Sequence, residues 1–259
     1  MKNIYLTAGK IEDVLNDIKD QLKITSSLDD NQSDLKVDSS FGIGSINTIK
    51  VYVGMTLVKF DMLFYDDMRL SVEPIINSPI LIMYCLEGNL YHSFGDVSEK
   101  TVIKKKQTAI LKSASSANSV LNFEKNTQVK FYLIALYPIQ VDGKEQNSEL
   151  VMLMKNKYFS TKKNFLEIKS QNLEVVKKIR ELNLVTQEGI VQNSILKCII
   201  NKIIEIEIKL GTNSFSMFQH MLNFFILKKL ENLRKISETF NYIYLRKLSN
   251  SLIMNKTRS

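Results

Sequence analysis

Histidine, cysteine, proline and glycine are all scarce in this chain of 259 residues. His92 and His220 are its two histidines, and they fall in different predicted regions. A metal centre of the three-histidine kind needs about three such ligands and a carboxylate on one ion. Glu87 and His92 would supply two ligands, so no metal and no cofactor is expected. Three Pro and nine Gly exclude collagen-like segments, repeats and long flexible linkers. Cys85 and Cys198 are too few and too far apart for a disulfide framework. Each lies in an apolar run, which predicts two buried thiols in a reducing compartment. No window approaches the roughly 18 apolar residues of a membrane helix. Met1–Leu6 is too short an apolar stretch for a signal peptide, so a cytoplasmic chain with no membrane partner is expected.

What remains is the composition of a folded protein, with 44% hydrophobic and 24% charged residues. The net charge of +8 is unevenly spread. Residues 1–40 hold five Lys and eight Asp or Glu, whereas residues 195–259 hold eleven Lys or Arg and four Asp or Glu. A basic C-terminal stretch suits a phosphate backbone, and equally suits solvated Lys-rich helix faces.

Residues 8–23 predict an amphipathic helix with Ile11, Val14, Leu15, Ile18 and Leu22 on its apolar face. Residues 25–40 are polar and acidic and read as a loop or linker. From about 47 to 138 the period becomes two, with many short strands separated by polar turns. Ile80–Leu86 is nearly continuous in apolar residues and predicts a strand buried on both faces. Glu87-Gly88-Asn89 turns it into Leu90–Phe94, which predicts a hairpin with Leu90, His92 and Phe94 on one face. Val129, Phe131, Leu133 and Ala135 share a face of the last strand. The pattern predicts an antiparallel sandwich or barrel.

Helical periods come next, over 148–157, 172–183 and 193–210, with Gly211 as a stop for the last. Residues 193–210 carry two apolar stripes. Ile195, Ile199, Ile203, Ile206 and Leu210 form one, and Leu196, Ile200, Ile204 and Ile208 the other. Two stripes require two covers: the domain's own core and a second subunit, or the core on both sides. A helix from Ser214 turns basic towards residue 239. In the last fifteen residues Leu245, Leu248 and Leu252 face inward, Ile253-Met254 turns, and Asn255 caps the start of a recognition helix.

Other residue groups carry less chemistry. Gly42-Ile43-Gly44 lacks the remainder of a phosphate loop and reads as a turn. Asp61, Asp66 and Asp67 read as solvated loop acids. Ser113, Ser115, Ser116 and Ser119 have no histidine near them in sequence, which leaves nucleophilic catalysis without support. A pocket among the central strands is the remaining site, with Tyr84, Leu90, His92, Phe94, Phe131 and Leu133 as its candidate lining.

The order of a β-rich region, a strongly apolar helix and a basic helix-turn-helix start resembles the AraC/XylS family of bacterial transcription regulators. Pro79–Leu90 is similar to the hydrophobic strand and Gly turn of that family's sensory barrel. Gln187–Ile206 is similar to its Gly-led dimerisation helix, and Leu248–Asn255 to its first helix-turn-helix. Ser249 stands where the family usually has Ala, and Ile253 where it has Gly at the turn.

The resemblance implies an α+β chain: an antiparallel cupin-like or jelly-roll β-barrel, then an α-helical region, then a partial helix-turn-helix. Residues 1–40 would be an N-terminal helix and acidic arm, 41–145 the effector-binding barrel, 146–212 a dimerisation region and 213–259 the basic segment. It implies a regulator that senses a small-molecule effector, forms a homodimer and binds DNA in its full-length form. Arg246, Lys247, Asn255, Lys256, Thr257 and Arg258 would touch DNA. The helix-turn-helix stops at Ser259, so an incomplete DNA-binding part is expected. A stand-alone antagonist that pairs with full-length regulators is the first alternative, and a cupin-type enzyme the second.

Overall fold

A computed structural model describes residues 2–7, 11–22, 24, 27–28, 32–74, 78–95, 98–114, 116–137, 154, 163–187 and 189–210. The chain divides into two compact units, Met1–Ile208 and Lys209–Ser259. The expected helices over 148–157 and 215–239 and the helix-turn-helix lie outside the described residues, Met154 excepted.

The first unit is mostly β-sheet with a few helices. Its strands are β1 (Lys2–Leu6), β2 (Ser27–Leu28), β3 (Gln32–Ser39), β4 (Gly42–Tyr52), β5 (Met55–Phe64), β6 (Met68–Val72) and β7 (Ile80–Glu87). They continue as β8 (Leu90–Phe94), β9 (Thr101–Ile103), β10 (Thr108–Lys112), β11 (Ser119–Phe123), β12 (Gln128–Leu136) and β13 (Phe165–Lys169). The helices are α1 (Ile11–Leu22), α2 (Leu173–Asn183) and α3 (Gly189–Leu210).

One sheet runs β1-β6-β11-β8-β9 and the other β13-β10-β7-β12-β5-β4-β3-β2. Among the described residues these are two separate sheets, not a closed barrel. All pairings are antiparallel except β1 with β6.

The larger sheet separates two cores. Along β7, Met83 and Cys85 belong to the core that also holds α1 and the smaller sheet, while Ile80, Ile82 and Tyr84 belong to the core that holds α2 and α3. Successive side chains of a strand point to opposite faces, so a strand covered on both sides is apolar throughout. This is the both-face burial expected of Ile80–Leu86.

Three expectations change here. Residues 27–28 and 32–39 are strands, not linker. In β3 the polar residues Asp34, Lys36 and Asp38 alternate with Leu35 and Val37, which are fully buried. The alternation is present, but the acidic outer face masks it. The expected hairpin of Ile80–Leu86 with Leu90–Phe94 is a corner instead. β7 pairs with β10 and β12, and β8 pairs with β9 and β11 in the other sheet. Gly88 makes that corner at φ +75°, where a Cβ would lie 2.4 Å from the Gln128 carbonyl oxygen. Gly42-Ile43-Gly44 lies in β4, not in a turn. A Cβ on Gly44 would meet the Asp61 carbonyl oxygen of β5 at 2.1 Å, so close backbone approach explains the glycine.

α2 begins where expected, at Asn172, whose Oδ1 accepts the Glu174 backbone N–H at 2.8 Å. The described residues of both apolar stripes of α3, which leave out the side chain of Leu210, are covered within this chain. Ile199, Ile203 and Ile206 are buried in the same core as Leu196, Ile200, Ile204 and Ile208, with Ile195 packed against it. Ser194, Lys197, Cys198 and Lys202 lie on the exposed side. Cys198 is therefore an exposed thiol rather than a buried one. Cys85 is buried as expected, and its desolvation pushes the thiol up to about 11.

Candidate functional site

A cavity of about 140 Å³ lies between the two sheets and α1. The larger sheet gives it Phe60, Met83, Phe131 and Leu133, the smaller sheet Leu70 and Leu121, and α1 gives Val14, Leu15 and Ile18. The period-two pattern of β12 places Phe131 and Leu133 on the cavity face. The helical spacing of 14, 15 and 18 places three residues of α1 above it.

α1 is fastened to the edge strand β1 by side chains. Gln21 Oε1 accepts the Tyr5 backbone N–H at 3.1 Å, and Gln21 Nε2 donates to the Tyr5 carbonyl. Asp17 accepts the Thr7 backbone N–H. These bonds occupy the outer edge of β1, which would otherwise present unpaired backbone groups.

Polar lining residues gather at one end. Val72 of β6 is in register with Ser119 of β11 and with Leu6 of β1, and the Glu73 N–H donates to the Leu6 carbonyl at 3.0 Å. In the other sheet Leu111 pairs with Leu81 and Leu136 with Ile80. Ser113, Ser78, Pro79 and Tyr137 therefore lie at the same end of their strands. Glu73 is exposed, so that end of the cavity meets solvent.

Of the six expected lining residues, Phe131 and Leu133 line the cavity. Tyr84 points to the opposite face of the larger sheet, where Arg180 of α2 acts on it electrostatically. Leu90 belongs to the core between the sheets but not to the cavity wall. His92 and Phe94 also stay off the wall, with their rings edge-to-face at 4.6 Å. The helix α1 and the serines at the polar end were not among the expected lining, although the apolar stripe of α1 is plain in the sequence.

His92 is fully buried, and its Nε2 lies 2.9 Å from Oγ of the cavity-lining Ser119. Ser119 thus does have a histidine beside it, contrary to the sequence expectation. The pair sits 27 residues apart in the chain and meets through the register of β8 with β11. Burial holds the His92 imidazole down to about 4, so it is neutral at pH 7 and a weak base. Its Nδ1 has no hydrogen-bond partner among the described residues, so no third group orients it as a triad would. The pair fixes a hydroxyl at the cavity wall without adding charge.

The low value has a consequence for stability. The unfolded histidine titrates near 6.5, so the unfolded chain takes up a proton that the folded chain refuses as pH falls from about 6.5 to 4. No penalty applies above that window, and the penalty is constant below it. Between pH 7 and pH 4 the wild type should lose about 3 kcal/mol more than a His92→Leu variant, measured by urea unfolding at each pH. Parallel pH profiles for the two proteins would contradict this.

Other acids have structural partners. Asp61 pairs with Lys130 at 3.1 Å, Asp66 with Lys2 at 3.2 Å, and Asp67 accepts the Lys125 backbone N–H at 3.0 Å. Glu87 lies 3.9 Å from Lys130, and no group of three His, Cys, Asp or Glu able to hold a metal occurs among the described residues. No helix among the described residues is long and apolar enough to cross a membrane.

No protein-family model matches the chain, and no curated protein matches it either. Solved structures do. The AraC-like transcriptional activator CuxR matches with a TM-score of 0.44 and 7% identity over 65% of this chain and 55% of that one. ToxT from Vibrio cholerae O395 matches with a TM-score of 0.37 and 11% identity over 62% and 56%. The bacterial pirin YhhW from Escherichia coli, in complex with nickel(II), matches with a TM-score of 0.27 and 10% identity over 58% and 56%. The chain therefore spans a little over half the length of each.

Proposed function

We propose that this chain is an AraC/XylS-like transcription regulator whose β-rich unit senses a compact, mainly apolar small molecule in the cavity under α1. The cavity carries the proposal. An engineered cavity of about 150 Å³ lined by aliphatic and aromatic side chains binds benzene, so this one has room for a ligand of that size. Its wall is apolar, and a few hydroxyls at one end suit a single polar group.

Occupancy has a route to the rest of the molecule. A ligand touching Leu15 and Ile18 binds better when α1 is docked than when it is not, and so shifts α1 and β1 towards the docked state. DNA contact belongs to the basic segment, through Arg246, Lys247, Asn255, Lys256, Thr257 and Arg258. Pairing of two copies belongs to the exposed start of α3, where Ile190 and Val191 leave apolar surface to solvent. The His92–Ser119 pair does not favour an enzyme, because His92 is a weak base with an unoriented ring.

Thermal unfolding with benzene-sized alcohols and hydrocarbons tests the sensing claim. A ligand at 100 times its dissociation constant should add about 2.7 kcal/mol. Ala135→Phe places a ring in the cavity from a buried lining position and should remove the response while the protein still unfolds cooperatively. A response that survives in Ala135→Phe would place the ligand elsewhere.

A further inference from the structure

The charge at the mouth of the cavity points to the kind of ligand, on the reading that the cavity is the ligand site. Among the described residues Glu73 is the one charged residue of its lining, with no Lys, Arg or His beside it on the wall. Ser78, Ser113, Ser119 and Tyr137 add neutral hydroxyls at the same end. His92 holds Ser119 from behind, at 2.9 Å, and is itself off the wall.

A ligand carboxylate seated at this end would face a like charge, with no cation among the described wall residues to offset its loss of water. An ammonium group would face the Glu73 carboxylate and the hydroxyl oxygens, which accept hydrogen bonds from it. We propose that the cavity selects a compact organic cation, a primary amine on an apolar body of about benzene size, with its ammonium group at Glu73 and its body between Leu15, Phe60 and Leu133.

Glu73 is exposed, so the charge preference is a modest one, on the order of fivefold. Three probes of one shape separate the possibilities: benzylamine, benzyl alcohol and benzoate, titrated into the full chain at pH 7.5 and followed by ligand-observed NMR. The amine should bind about fivefold more tightly than the alcohol, and benzoate most weakly. Added salt should weaken the amine and leave the alcohol unchanged. Glu73→Gln should bring amine and alcohol to within about twofold of each other. Benzoate binding as tightly as the amine, or an amine preference that survives in Glu73→Gln, overturns the proposal. Equal binding of amine and alcohol overturns the charge preference but leaves the cavity as a ligand site. Binding by none of the three overturns both.

Discussion

Replacing Lys169 with Met should destabilise the protein by about 3–5 kcal/mol, more than any surface substitution in it. Lys169 ends β13 on the helix-facing side of the larger sheet. Its Nζ lies 3.0 Å from Glu207 Oε2 and donates to the Glu207 backbone carbonyl at 2.7 Å. Glu207 is 1% exposed, on α3 among isoleucines. A carboxylate there cannot recover its hydration when the ammonium is removed, so the loss exceeds what an exposed ion pair gives. The double variant Lys169→Met with Glu207→Leu removes both charges and should recover most of the loss, because a well-packed apolar pair often matches a buried ion pair. Urea unfolding of the two single variants and the double variant measures this coupling. A cost below about 1 kcal/mol for Lys169→Met would mean that the pair is effectively solvated.

Phe123→Ala should cost about 3–5 kcal/mol and lower the melting temperature by roughly 10 °C. Phe123 comes from the smaller sheet and is 2% exposed. It stacks at 5.4 Å on Phe60 and lies 5.2 Å from Phe64, both from the larger sheet, while Phe60 stacks at 4.5 Å on Phe131. This cluster joins the two sheets, and truncation leaves a void that neighbouring strands cannot close without breaking their ladders. Phe123 does not line the cavity, so ligand affinity should change little while stability falls. A loss of affinity in proportion to stability would mean that the two regions are not separable.

The faces of individual elements were more legible in the sequence than their partners. The run Ile80–Leu86 announced burial on both sides, and the alternation of β12 put Phe131 and Leu133 together on what proved to be the cavity face. Where both faces are apolar, however, alternation cannot say which one meets the cavity, and Tyr84 went to the helix side. Whether two adjacent strands pair or part was equally hidden. Gly88 permits a tight hairpin and a corner alike, and the position of the Gln128 carbonyl decides between them.

Polar residues hid two further strands. The acids of β3 masked Leu35 and Val37, and the short Phe-Leu-Glu-Ile-Lys of β13 gave no clear period. For α3, the two stripes fitted either a second subunit or the chain's own core as the second cover, and the described stripe residues from Ile195 to Ile208 pack in the chain's own core. The approach of His92 to Ser119 depends on inter-strand register, which no local pattern encodes.

The claim that a ligand sits between the sheets and α1 is tested most directly by ¹H–¹³C methyl spectra of the full chain titrated with benzyl alcohol. The methyl signals of Leu15, Ile18 and Leu133 should shift together with one dissociation constant, while those of Ile179 and Ile200, in the core beyond the larger sheet, stay in place. Shifts centred on Ile179 and Ile200, or no shift at the solubility limit of the alcohol, would contradict it.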